Sequence, residues 1–114
     1  NNYAYYLSQR QYNLSRAHDL AKQAVAQDPK NANFIDTYAW VLFQEGKYVE
    51  AKEILLKAMQ LTDKNATLWE HYGDIQAKLG EIEQALQSWK TAKDLGAKGN
   101  IDQKIAERSY IESK

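Results

Sequence analysis

The chain has no cysteine and a single proline, Pro29. The first absence excludes a disulfide framework, a thiolate zinc site and a cysteine nucleophile. It is compatible with any compartment. No surplus of positive charge exists either: fifteen basic side chains balance fifteen acidic ones. A neutral chain lacks the electrostatic drive for phosphate binding, so nucleic acid is excluded as a main partner. The longest uninterrupted apolar run, Tyr38 to Phe43, is far too short to span a bilayer. No serine sits in a nucleophile elbow and no glycine-rich phosphate loop is present. No signal peptide is recognisable. The chain opens at Asn1, without Met and already inside a helical pattern. We therefore expect a piece of a longer protein, whose targeting these residues do not report.

What is present is a repeat. Ala17, Ala51 and Ala85 stand 34 residues apart, as do Ala24, Ala58 and Ala92. A third column holds Ala21, Leu55 and Trp89, and a fourth holds Pro29, Asp63 and Ala97. Tyr38-Ala39 recurs as Tyr72-Gly73, and Gly46 as Gly80. The small residues mark close approaches of two helices, and the large ones fill the gaps between units. A period of this length means stacked helix pairs. With 114 residues, the chain can bury a real core if the units stack.

Helix punctuation agrees. Asp28-Pro29-Lys30-Asn31 and Asp63-Lys64-Asn65 each end one helix and start another, with Asn31 and Asn65 as N-caps. Glu45-Gly46-Lys47 and Leu79-Gly80-Glu81 are tight turns within units, where glycine permits positive φ. These signals predict helices near 1–9, 13–27, 32–45, 48–61, 66–79, 82–95 and 100–112. They divide the chain into a first unit at 1–31, truncated at its N-terminus, a second at 32–65 and a third at 66–97. A linker and capping helix occupy 98–114. The first unit carries one extra residue near Gln9–Asn13, with Tyr12 in the column of Gly46 and Gly80. In the last segment, Asn100-Ile101-Asp102-Gln103 reads as a capping box. Ile101, Ile105, Ala106 and Tyr110 form an apolar stripe there, opposite Asp102, Lys104, Glu107 and Arg108. One polar face is what a terminal element of a stack needs.

These residues resemble the tetratricopeptide repeat (TPR) family. The third unit carries the pattern best, with Trp69, Tyr72-Gly73, Gly80, Ala85, Trp89 and Ala92. The second has Ile35, Tyr38-Ala39, Leu42, Gly46, Tyr48, Ala51, Leu55 and Ala58. The first keeps Tyr3-Ala4, Leu7, Ala17, Ala24 and Pro29. Gln76, Ala21, Asp63 and Ala97 depart from it. The resemblance covers residues 1–97. The segments Asn1–Leu7 and Asp36–Phe43 also look like the C-terminal repeats of larger bacterial TPR proteins, which leans the parent toward the periplasm or envelope. The resemblance implies an all-α, right-handed superhelical array of antiparallel helix pairs. First helices would line a concave groove that binds a peptide or helix of a partner protein. It implies no catalysis and no cofactor.

Spacing assigns the groove face. In the second unit it takes Asn33, Asp36, Trp40, Phe43 and Gln44, and in the third Glu70, Asp74 and Lys78 beside Thr67 and Ala77. Tyr5 holds the column of Trp40 in the first unit. Exposed aromatics in a groove are typical binding anchors, although Trp40 and Phe43 could equally pack on a neighbouring unit. Asp36, Glu70 and Asp74 suit a ligand that pairs Lys or Arg with an apolar side chain. The alternative is a solvated face with Asp74–Lys78 as an i,i+4 pair. The carboxylate clamp of chaperone-binding TPR domains needs Lys, Arg and Asn in these columns. They hold Asn1, Asp36, Glu70 and Tyr5, Trp40, Asp74 instead, so a C-terminal acidic motif is not expected. Glu70, His71 and Asp74 lack a second imidazole or sulfur, which leaves no expected metal site. Asn13-Leu14-Ser15 and Asn65-Ala66-Thr67 match the glycosylation sequon but read better as helix caps. The expected function is a non-catalytic protein-interaction module. Its rival is a structural segment that packs within its parent or self-associates through Tyr3–Leu7.

Overall fold

Small residues at matching helical positions let two helix axes approach, and within each unit the chain uses them to pack successive helices together. The structure, a computed structural model, describes residues 11–62 and 64–110. The expected helix at 1–9, the groove residue Tyr5 and the Tyr3–Leu7 face lie outside the described residues. The described residues form six helices: α1 (Gln11–Gln27), α2 (Ala32–Gln44), α3 (Tyr48–Leu61), α4 (Ala66–Lys78), α5 (Ile82–Asp94) and α6 (Ile101–Glu107). No strand occurs among the described residues. The chain divides into two compact units, residues 1–61 and 62–114. The first contains α1–α3 and the second α4–α6.

The predicted junctions form as chemistry requires. Asn31 Oδ1 accepts the Phe34 N–H at 3.1 Å, and Asn65 Oδ1 accepts those of Thr67 and Leu68 at 2.9 and 3.2 Å. Each satisfies donors that a helix start leaves without intrahelical partners. The turns after α2 and α4 place Gly46 and Gly80 at φ 80° and 84°. Lys47 N–H then donates to Leu42 O at 2.9 Å, and Glu81 N–H to Gln76 O at 2.9 Å. This six-residue closure is the Schellman C-cap, and its left-handed residue favours glycine.

In the first unit, Leu14, Ala17 and Ala21 of α1 bury against Val41 and Tyr38 of α2. His18 Nδ1 lies 2.8 Å from Glu45 Oε1, and its ring meets Tyr38 edge-on at 5.3 Å. Ile35, Ala39 and Leu42 of α2 and Ala51, Leu55 and Ala58 of α3 are buried. In the second unit, Ala85, Leu86, Trp89 and Ala92 of α5 cluster with Ile101 of α6. Trp69, Ala77 and Ile82 close that cluster.

Three boundaries differ from expectation. Gln11, Tyr12 and Asn13 are already helical, so Tyr12 is not at a turn and Asn13 is not a cap. The last helix stops at Glu107 rather than 112, because Arg108 turns left-handed at φ 54°. The Asn100 side chain makes no capping bond to α6, so the capping box is not formed there.

One crossing sets the spacing of α4 and α5. A Cβ built on Gly73 would fall 2.5 Å from Trp89 Cδ1 and Nε1, closer than atoms tolerate. Trp89 is wholly buried. The corresponding positions of the first unit hold Ala39 and Leu55, a larger and a smaller residue respectively. The bulkier partner thus sits opposite the smaller one at this crossing. Gly73→Ala should gain helix propensity of about 1 kcal/mol yet lose more to overpacking, roughly 1–3 kcal/mol. Trp89→Leu should relieve that clash, so the double variant should cost less than the sum of the singles. Urea denaturation of all four chains measures this coupling, and strict additivity would refute the interlock.

Candidate interaction surface

Helical geometry places Asn33, Asp36, Trp40 and Gln44 along one face of α2. Asn33 is exposed, while Asp36, Trp40 and Gln44 are half-buried. The Thr37 hydroxyl donates to Asn33 O at 2.9 Å, back-bonding into the helix. Trp40 stacks on Phe43, with centroids 4.5 Å apart and planes 15° from parallel. Phe43 also meets Tyr48 of α3 at 5.4 Å. With only 5% of its surface exposed, Phe43 is not the open anchor expected from its spacing. It is a packing residue that holds the Trp40 ring. Gln44 buries its Oε1 with no hydrogen-bond donor among the described residues.

The matching face of α4 is closed by its own chain. Asp74 is buried, contrary to the expectation of a groove carboxylate. It accepts the Trp89 indole N–H at 3.0 Å and lies 2.9 Å from Lys104 Nζ. Glu70, half-buried, accepts from the same ammonium at 2.7 Å. The expected Asp74–Lys78 pair is not what holds Asp74: its cation comes from α6. Lys78 is exposed, with Nζ 5.4 Å from the Tyr110 ring centre. Lys104 Nζ lies 5.5 Å from the same ring. Lys104, expected on the solvent side of its helix, is only 2% exposed. The inward stripe of α6 is Ile101, Lys104 and Ile105. A visible signal existed, since Lys104 stands 34 residues after Glu70 and three after Ile101.

Gln76, the departure from the family's apolar pattern, also has a physical role. It is buried and accepts the Ser88 hydroxyl at 2.6 Å. A buried polar pair of this kind is tolerable because each group satisfies the other. Among the described residues no group of histidine and carboxylate side chains could hold a metal. No described helix is long and apolar enough to cross a membrane.

With the geometry in place, comparison with known proteins is direct. The family model of anaphase-promoting complex, cyclosome, subunit 3 (ANAPC3) matches residues 10–92. The chain belongs to this family of TPR-type repeats. The family is one of interaction repeats, not of enzymes. Solved structures agree on the fold. The first TPR domain of human RPAP3 is 17% identical with a TM-score of 0.80, covering 92% of this chain and 88% of that one. The Sgt2 TPR domain of Aspergillus fumigatus is 18% identical with a TM-score of 0.79, covering 86% and 67%. The Yersinia enterocolitica secretion chaperone SycD, solved with a peptide of the translocator YopD, is 17% identical with a TM-score of 0.73, covering 94% and 87%. No curated protein sequence matches the chain.

Burial pushes the Asp74 carboxyl up to about 6, against the lowering effect of the Lys104 charge and hydrogen bond. Its folded value therefore lies above the ordinary 3.8. Protonated Asp74 is the form the fold prefers, so its contribution is full below about pH 4 and falls as pH rises through about 6. The loss amounts to roughly 3 kcal/mol. Asp74→Asn should abolish this dependence. Urea titrations at acidic and neutral pH should show the Asn variant gaining on wild type as pH rises. The reverse trend would mean that Lys104 outweighs the desolvation. Lys104→Met leaves a buried carboxylate without its cation and should cost about 3–5 kcal/mol at neutral pH.

Proposed function

We propose that the chain is a non-catalytic module that binds a peptide or helix of a partner protein along the ligand-facing surface of its first helices. The observation that carries this reading is Trp40. Its ring is half-buried, seated on the buried Phe43, and flanked on one face of α2 by Asn33, Asp36 and Gln44. A rigid aromatic on a supported shelf contributes contact area at little entropic cost. Asp36, half-buried on the same face, adds a negative charge. Structures of similar fold lend support. The first TPR of RPAP3 has been solved bound to an HSP90 peptide, SRMEEVD, and SycD with its YopD peptide.

The ligand chemistry differs from that acidic HSP90 peptide. The face carries Asp36 and Trp40 where recognition of a terminal carboxylate would call for cations. A segment pairing Lys or Arg with an aliphatic or aromatic residue fits better, through a charge-assisted hydrogen bond and cation–π contact. The Asp36 contribution is salt-screened, being only half-buried.

A synthetic peptide array of basic–apolar segments, read at low and high salt, tests the proposal. Trp40→Ala should lower affinity by about thirtyfold, the effect of losing roughly 2 kcal/mol at an anchor. Asp36→Asn should weaken binding mainly at low salt. Circular dichroism should show both variants folded. Equal binding by a folded Trp40→Ala chain would move the surface away from α2.

A further inference from the structure

The second unit presents two carboxylates one helical turn apart on α4, Glu70 and Asp74, and supplies its own cation to them. Lys104 Nζ lies 2.7 Å from Glu70 Oε2, and 2.9 and 3.2 Å from the two oxygens of Asp74. The Tyr110 ring centre lies 5.5 Å from the same ammonium. A basic side chain, held by a carboxylate pair and an aromatic ring beside an aliphatic contact, is the chemistry proposed above for a ligand. Here it belongs to α6.

The attachment of α6 is slight. The helix has seven residues. Its buried contacts are Ile101 against the Trp89 cluster, with Ile105 partly buried, and Lys104 itself. A surface tie, Lys93 to Asp102 at 2.6 Å, joins two exposed side chains and contributes little. The segment leading to it contains Gly96 and Gly99, at φ 109° and 76°, with Lys98 exposed between them. Beyond it, Arg108 ends the helix in a left-handed conformation. Elements with few buried contacts are those that open first.

We propose that α6 is a displaceable strap. While docked, it closes the second unit to basic ligands by seating Lys104 on Glu70 and Asp74. A partner helix with the same apolar-x-x-Lys-apolar spacing as Ile101, Lys104 and Ile105 takes its place. This rests on the reading that first-helix faces are the ligand surface, and it adds the occupant of the second unit. Because the strap is tethered, its effective concentration at the site is of order millimolar. A competitor must therefore bind more tightly than the strap does or arrive when the strap is weakened.

The test uses the full chain and a fluorescent peptide of residues 97–110. Wild type should bind the peptide weakly. Ile101→Asp in the chain withdraws the strap's apolar anchor and leaves both carboxylates intact, so it should bind the peptide at least tenfold more tightly. A peptide carrying Lys104→Gln should lose that gain. Equal binding of either peptide by a folded Ile101→Asp chain, or no gain over wild type, would overturn the proposal. Hydrogen exchange on the unaltered chain provides a readout free of folding artefacts. The amides of α6 should open well before those of α4 and α5, and exchange of all three together would also overturn it. Neither result touches Trp40 in the first unit, so the strap can fail while the interaction reading stands. Equal binding of the basic–apolar peptides by wild type and a folded Trp40→Ala chain would instead remove the reading on which the strap rests.

Discussion

The close approach of paired helices is the constraint on which the rest depends. Ala51, Ala58, Ala85 and Ala92 have no exposed surface, so a larger side chain at any of them would overpack a closed interior. Where α5 brings Trp89, α4 must give up even the methyl, hence Gly73. Dense interiors forbid independent choices at such a crossing. The interlock also has a chemical consequence. It sets the indole N–H against Asp74 at 3.0 Å, fixing the carboxylate where a lysine from α6 can reach it. Packing thus determines where the charge lies.

That buried charge is not there chiefly for stability. Removing a carboxylate from water is costly, and burial pushes Asp74 up against the lowering effect of Lys104. Its value lies in specificity. An ammonium confined between Glu70, Asp74 and the Tyr110 ring holds α6 in one register. The short helix needs this, since two isoleucines offer little directional information.

Much of this was legible in the sequence, and the failures have a common cause. The 34-residue columns marked the buried alanines, the asparagine caps and the glycine turns, because each reflects a local requirement of backbone or volume. Trp40 and Asp36 were placed on one face by helical spacing, and the structure keeps them together. Phe43, Asp74 and Lys104 were misplaced. Pattern reading assigns a charged side chain to solvent, and it does so by type rather than by partner. Lys104 and Asp74 bury each other, so neither position betrays itself alone. Phe43 stands three residues from Trp40 and shares its apparent face, but the ring it supports is the one that remains accessible. The α6 boundary was overextended because nothing in Arg108 announces a left-handed residue.

The two units consequently use one helix position differently. On α2 the position that would meet a ligand carries an aromatic, braced from beneath by Phe43 and Tyr48. On α4 the equivalent position is Asp74, and it already has a cation. Both share the repeat's backbone and caps, so neither difference comes from the fold. Each comes from one exchange at the crossing and one side chain on the neighbouring helix. A repeat that fixes its backbone with small residues leaves its ligand-facing positions under little packing constraint. Recognition chemistry can therefore change from unit to unit while the alanine columns stay the same.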